Sequence, residues 1–177
     1  RCLIDGRAGC GSRNQGEKEM QQPMNPDAAQ QEMANQLSVK GSVLHAVLSK
    51  IICSEEIDAV LENALYEGLI NQEEKHLMRK HIGLGIQDER VSAWFDGSGD
   101  VLNEAEIVLA SGETKRPDRV IIYENKAVVV DYKFGTHEEE KKHRKQVGEY
   151  MEILSGMGYS PVEGYLWYLN TNKIMQV

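Results

Sequence analysis

The stretch RPDRVIIYENKAVVVDYKFG, from Arg116 to Gly135, decides how the rest of the chain is read. Two runs of β-formers, Val120 to Tyr123 and Ala127 to Val130, flank the polar break Glu124-Asn125-Lys126. That pattern predicts a β-hairpin with Asn at the turn, where positive φ is tolerated. With the loop at Asn125-Lys126, Glu124 faces Ala127 and Asp118 lies opposite Lys133, with Asp131 two residues along on the same face. Side chains alternate along a strand, so Asp131 and Lys133 share a face while Tyr132 points to the other. Two carboxylates and an ammonium then converge at one end of an otherwise apolar hairpin. Like charges gathered there repel unless a cation joins them, so the arrangement suits a metal site. For Asp131-Tyr132-Lys133 alone, a strand end turning polar as it meets solvent is the plainer reading. Pro117-Asp118 at the matching place on the partner strand weighs against it.

Pro117-Asp118, then twelve residues, then Asp131-Tyr132-Lys133 resembles the PD-(D/E)xK nuclease motif, in the form carried by the RecB/AddA family of helicase-associated nucleases. Gly41-Ser-Val-Leu-His45 is similar to the GxxxH motif that opens the nuclease domain of RecB-like proteins. Gln146 and Tyr150, at i and i+4 and so on one helix face, are similar to the QxxxY motif that follows the catalytic strand. The run Asn103 to Ile107 resembles the segment that completes the acidic cluster, with Glu104 the better match and Glu106 in reserve. The resemblance covers roughly Lys40 to Leu169, with the motifs in the family's order. One departure is Lys115, where relatives often carry Gly.

The resemblance implies Mg²⁺ or Mn²⁺ held by Asp118 and Asp131, with His45, Glu104 and the Tyr132 carbonyl as further ligands. Hard cations take oxygen donors and keep several waters, and a neutral imidazole suits Mn²⁺ better than Mg²⁺. Lys133 then orients or deprotonates the attacking water, and Gln146 and Tyr150 position the DNA strand and Lys133. The implied activity is phosphodiester hydrolysis in DNA, as an exonuclease on single strands or double-strand ends. Relatives carry this domain at the C-terminus of a UvrD-like helicase, which implies an upstream helicase partner and a role in double-strand break repair. Two rival classes stand beside it: a catalytically inactive DNA-binding or subunit-docking module of the same fold, and a restriction or junction-resolving endonuclease.

Composition agrees with an ordinary globular protein. The 177 residues are 41% apolar and 27% charged, enough for one domain with a proper core. No run of about 18 apolar residues exists, so no membrane segment is expected, and the opening residues do not read as a secretory signal. The cysteines, Cys2, Cys10 and Cys53, are odd in number, which fits a reducing cytoplasm better than a disulfide framework. Relatives with an iron–sulfur cluster place three cysteines after the last motif, and this chain has none beyond Cys53, so no such cluster is expected. No GxxxxGK[ST] loop occurs, so no ATP site is expected in this chain. The net charge of −8 argues mildly against a stand-alone nucleic-acid binder. The local basic run Lys141, Lys142, Arg144 and Lys145 reads equally as a phosphate-contacting face and as a solvated helix face paired with neighbouring glutamates.

Residues 1–36 lack periodicity and read as a flexible tail, a linker or sequence left by cloning, ahead of a RecB-like nuclease domain over 37–177. A first amphipathic helix is predicted from Leu37, with Val43, Leu44, Val47, Leu48, Ile51 and Ile52 as its stripe. Ser54 reads as the N-cap of a second helix ending near Gly68. Asn71 to Glu74 has capping-box spacing for a third, and Asp88 caps a short fourth. A strand is expected over Val101 to Ala110, with Glu104 and Glu106 on one face. A long helix is expected from Thr136 to Leu154, then a strand from Tyr165 to Leu169 and a turn into Lys173. The sum is an α/β, restriction-endonuclease-like core: a central mixed sheet of four or five strands with helices on both faces.

Overall fold

The computed structural model describes residues 41–134 and 139–177. The expected tail, the first residues of the first predicted helix and Thr136 lie outside the described residues. In chain order come α1 (Gly41–Leu48), a 3₁₀ turn (Ser54–Glu56), α2 (Ile57–Tyr66), α3 (Gln72–Gly85) and α4 (Glu89–Trp94). Then follow β1 (Asp100–Asn103), β2 (Ile107–Val108), β3 (Thr114–Lys115), β4 (Arg119–Tyr123), β5 (Lys126–Lys133), α5 (Glu140–Gly156), β6 (Val162–Tyr168) and β7 (Lys173–Gln176). One mixed sheet has the order β1-β4-β5-β6-β7, and β2 with β3 makes a small separate ribbon. Only β5 and β6 run parallel within the five-stranded sheet. A parallel pair needs a crossover, and α5 is that crossover.

The central strands are apolar almost throughout because both faces are covered. Ile121, Val128, Val130, Tyr132, Tyr165 and Trp167 face the α1–α4 layer, packing with Leu48, Leu61, Ile82 and Phe95. Val120, Ala127, Val129, Leu166 and Tyr168 face α5, against Val147, Tyr150 and Leu154. Each fully buried aliphatic or aromatic side chain of this kind stabilises by roughly 1.5–3 kcal/mol. The capping box at Asn71 is present: Glu74 N donates to Asn71 Oδ1 at 2.9 Å and Asn71 N to Glu74 Oε2 at 2.8 Å. Asp88 likewise accepts from Arg90 N at 3.0 Å.

Several local expectations are corrected. The hairpin loop is Glu124-Asn125, since Tyr123 pairs with Lys126. Glu124, not Asn125, carries the positive φ of 49°. Arg119 pairs with Val130, so Asp118, one residue earlier, lies opposite Asp131 rather than Lys133. The strand expected over Val101 to Ala110 breaks after Asn103, because Glu104 adopts φ 52°, outside the extended region. Glu104 and Glu106 therefore share no strand face. Helix α1 ends at Leu48, which leaves Ile52 half exposed instead of on the buried stripe. Ser54 is the first residue of the 3₁₀ turn and Cys53 its cap, with Glu56 Oε2 accepting from Ile52 N at 2.9 Å. Helix α5 runs two residues past Leu154, and β6 starts at Val162, ahead of Tyr165.

A close approach joins α3 to the sheet. A Cβ on Gly85 would lie 2.0 Å from Cζ2 of the fully buried Trp167 ring. Helix propensity alone favours Gly85→Ala by about 0.5–1 kcal/mol, whereas forcing volume into a packed core costs about 1–3 kcal/mol. At this separation overpacking wins, and Gly85→Ala is expected to lower the urea midpoint. A raised midpoint would mean that the ring moves aside freely.

Candidate metal centre and active site

The site lies where the C-terminal end of β5 meets the paired end of β1 and start of β4. Asn103 and Arg119 are cross-strand partners, and one step beyond them Glu104 N donates to the Asp118 carbonyl at 3.0 Å. Glu104 and Asp118 are thereby set opposite each other. Asp118 Oδ2 also accepts from Tyr132 N at 2.7 Å, which fixes the carboxylate against β5. His45, in the last turn of α1, approaches from the other helical layer, its ring edge-on to Tyr132 and Phe134 at 6.3 Å and 5.4 Å. Its Nδ1 stands 3.3 Å from Asp118 Oδ1 and 4.0 Å from Glu104 Oε1.

One ligand atom from each of His45, Glu104 and Asp118 falls within 4.8 Å of the other two. The three line an open cleft of about 420 Å³ together with Ser42, Ser49 and Arg116. One imidazole nitrogen and two carboxylates suit a divalent cation. The left-handed backbone at Glu104 adds a second sign, since such strain persists where surroundings hold it and gathers at functional sites. Glu106 is exposed and outside this set.

Asp131 does not join the three in one ligand-sized cluster. It lies beside them, 1% exposed, and its Oδ2 meets Lys133 Nζ at 2.6 Å. That contact is an ion pair without good hydrogen-bond angles, and Asp131 Oδ2 has no other partner among the described residues. Burial, then the nearby Asp118 carboxylate, push the Asp131 carboxyl up to about 6, with Lys133 pulling the other way. At His45 burial is the largest influence and acts downward, but the bond to Asp118 together with the charges of Asp118 and Asp131 outweighs it, and the imidazole is held above its ordinary value.

Lys133 belongs to a chain of contacts from α5. Its ammonium donates to Gln146 Oε1 at 3.4 Å, Gln146 Nε2 donates to the Tyr150 hydroxyl at 2.9 Å, and that hydroxyl donates to the Arg116 carbonyl at 3.4 Å. The basic residues of α5 are laced to its own glutamates. Arg144 pairs with Glu140 at 3.0 Å, Lys142 with Glu139 at 3.5 Å and Lys145 with Glu149 at 3.9 Å, while Lys141 is exposed.

Three contributors escaped the sequence reading. Arg116 pairs through Nε with Glu104 Oε2 at 3.0 Å. Arg119 and Asn103 hold the strand ends behind the ligands. The signal for Arg119 was present: a cation on the same strand face as Ile121, where alternation calls for an apolar side chain.

A family model described as "PD-(D/E)XK nuclease superfamily" matches residues 17–176. The chain belongs to that superfamily, and its five-stranded mixed sheet between helical layers is a restriction-endonuclease-like core. It is a member of a class of nucleases that use divalent metals, and it carries a candidate metal-binding triad of its own. No curated protein matches the chain. Among the described residues no helix is long and apolar enough to cross a membrane.

The titrations give a signed expectation for the metal-free protein. Between the unfolded carboxyl value near 3.8 and the folded value of about 6, the folded chain holds a proton on Asp131 that the unfolded chain has lost. Stability should therefore fall as pH rises through that window, by up to about 1.4 kcal/mol per pH unit from this group. His45 extends the decline above its ordinary pKa, because a raised imidazole contributes stability that is lost as it deprotonates. Urea unfolding with chelator across pH 4–7 should show the slope, and Asp131→Asn should flatten its acid half. An unchanged slope in that variant would remove Asp131 as its source.

Proposed function

We propose that this chain is a divalent-metal-dependent deoxyribonuclease of the RecB-like branch, an exonuclease that processes DNA ends as the nuclease domain of a helicase-nuclease in double-strand break repair, in the cytoplasm. The observation that carries the reading is the meeting of His45, Glu104 and Asp118 beside the Asp131–Lys133 pair. Two further contacts favour this branch: His45 bonds to Asp118, and Gln146 bonds to Lys133. Both residues that set the branch apart thus touch the central acid–lysine group.

A bound Mg²⁺ or Mn²⁺ supplies charge neutralisation on the phosphoryl oxygens and a more acidic water. Asp118, Glu104 and His45 would hold it, with Asp131 and the Tyr132 carbonyl completing the shell, and the imidazole tilts the preference toward Mn²⁺. Lys133 orients the attacking water, takes up its proton or steadies charge that develops on the phosphate. Gln146, fixed by Tyr150, limits where that ammonium can sit. Lys142, Arg144 and Lys145 would contact the DNA backbone by exchanging glutamate partners for phosphates, and the exposed Lys141 would contact it directly, each contact weakening with salt.

Digestion of end-labelled linear DNA with Mg²⁺, Mn²⁺ or EDTA tests the reading. Cleavage with either metal and none in EDTA is expected. Asp118→Ala and Lys133→Ala should each lose about 10²–10³-fold or more in rate while keeping the wild-type circular dichroism. Retained activity in either variant defeats the assignment. Closed circular DNA and four-way junctions should survive, and cutting of either would favour the endonuclease class.

A further inference from the structure

We infer that Arg119 and Asn103 form an internal clamp that sets the spacing of the candidate metal ligands, acting as positioning residues for the site. Arg119 is fully buried, yet its guanidinium makes no ion pair among the described residues. Instead it donates to three backbone carbonyls: Ile51 at 2.8 Å, Ile52 at 2.7 Å and Trp94 at 2.6 Å. It also reaches Asn103 Oδ1 at 3.3 Å and lies 4.0 Å above the Phe95 ring. Asn103 Nδ2 in turn donates to the Ser49 carbonyl at 2.9 Å and the Ile51 carbonyl at 3.2 Å.

A buried cation is costly, and an apolar side chain of similar volume would pack this face at no such cost. What an apolar residue could not do is grip the segment that follows α1 and the last residue of α4 at once. Only a planar fork with several donors spans those carbonyls, so lysine is no substitute. Each candidate ligand is close to the clamp along the chain. Glu104 follows Asn103, Asp118 precedes Arg119, and His45 sits one helical turn before Ser49, whose N–H binds the His45 carbonyl at 2.9 Å. The clamp thus ties the strand pair bearing the two carboxylates to the helix bearing the imidazole. Partners bonded directly to metal ligands change affinity by about 10–100-fold when removed, and the clamp acts one step behind them, at the low end of that range.

The inference rests on reading the triad as a metal site, and its test does not depend on cleavage. Mn²⁺ binding to the full chain is measured by calorimetry for wild type, Asn103→Ala, Leu102→Ala as a neighbouring control and Asp118→Ala as the variant lacking a ligand. Asn103→Ala should stay folded by circular dichroism and bind Mn²⁺ about 10-fold more weakly, with Leu102→Ala unchanged. On end-labelled DNA its kcat should fall while KM holds. Should Asn103→Ala not fold, Asn103→Thr, a better strand former without the amide, is measured in its place. Unchanged Mn²⁺ affinity alongside lowered stability overturns the inference, because the pair would then be structural only. Wild type failing to bind Mn²⁺ overturns it too. Weakened binding in the variant with no cleavage by wild type would sink the nuclease reading and leave the clamp standing.

Discussion

Tyr123 pairs with Lys126 across a two-residue loop, and the chemistry at the far end of the hairpin follows from that register. Beyond the loop the ladder sets Ile122 against Ala127, Ile121 against Val128 and Val120 against Val129, then Arg119 against Val130, before it arrives at Asp118 beside Asp131. Sheet geometry, rather than any attraction between them, presses two carboxylates together at a rim. The Tyr132 amide steadies one and the Lys133 ammonium the other. The remaining deficit of positive charge is what makes a divalent cation a natural occupant of the cleft.

The seam between the two helical layers explains why the site needs residues from distant parts of the chain. Asp118, Asp131 and Lys133 leave the sheet on the face covered by α5, so Gln146, held by Tyr150, can reach Lys133 from above. His45 belongs to the opposite layer and reaches Asp118 around the end of β4. Arg119 points the other way from its neighbour Asp118, into the α1–α4 layer, as strand alternation requires. One dipeptide therefore serves the candidate site with its first residue and the scaffold with its second.

Much of this was legible in the chain because period-two patterning survives small errors. Placing the hairpin loop one residue late shifts each cross-strand partner by two, which changes Lys133 for Asp131 opposite Asp118 but keeps every side chain on its proper face. Helix starts at Asn71 and Asp88 were readable from capping chemistry, and the helix-strand order around the mixed sheet from apolar periodicity. Glu104 was harder. Its run looks like a continuous strand, and nothing local announces that the backbone turns left-handed there; the Asp118 carbonyl and Arg116 make that geometry worthwhile. Arg119 stands out as a cation on an apolar face, but its role escaped because its partners are carbonyls far along the chain, at Ile51, Ile52 and Trp94, and carbonyls leave no mark in a sequence.

The two apolar cores are separate, sharing only the sheet between them, whereas the candidate site takes side chains from both helical layers, His45 from α1 and Gln146 from α5. Fraying of α1 alone would withdraw the imidazole, and fraying of α5 alone would free the lysine, with most strand pairing still intact. Proteins open locally at lower free energy than they unfold globally. Opening of either helix would accordingly take the candidate site apart before the sheet itself gives way.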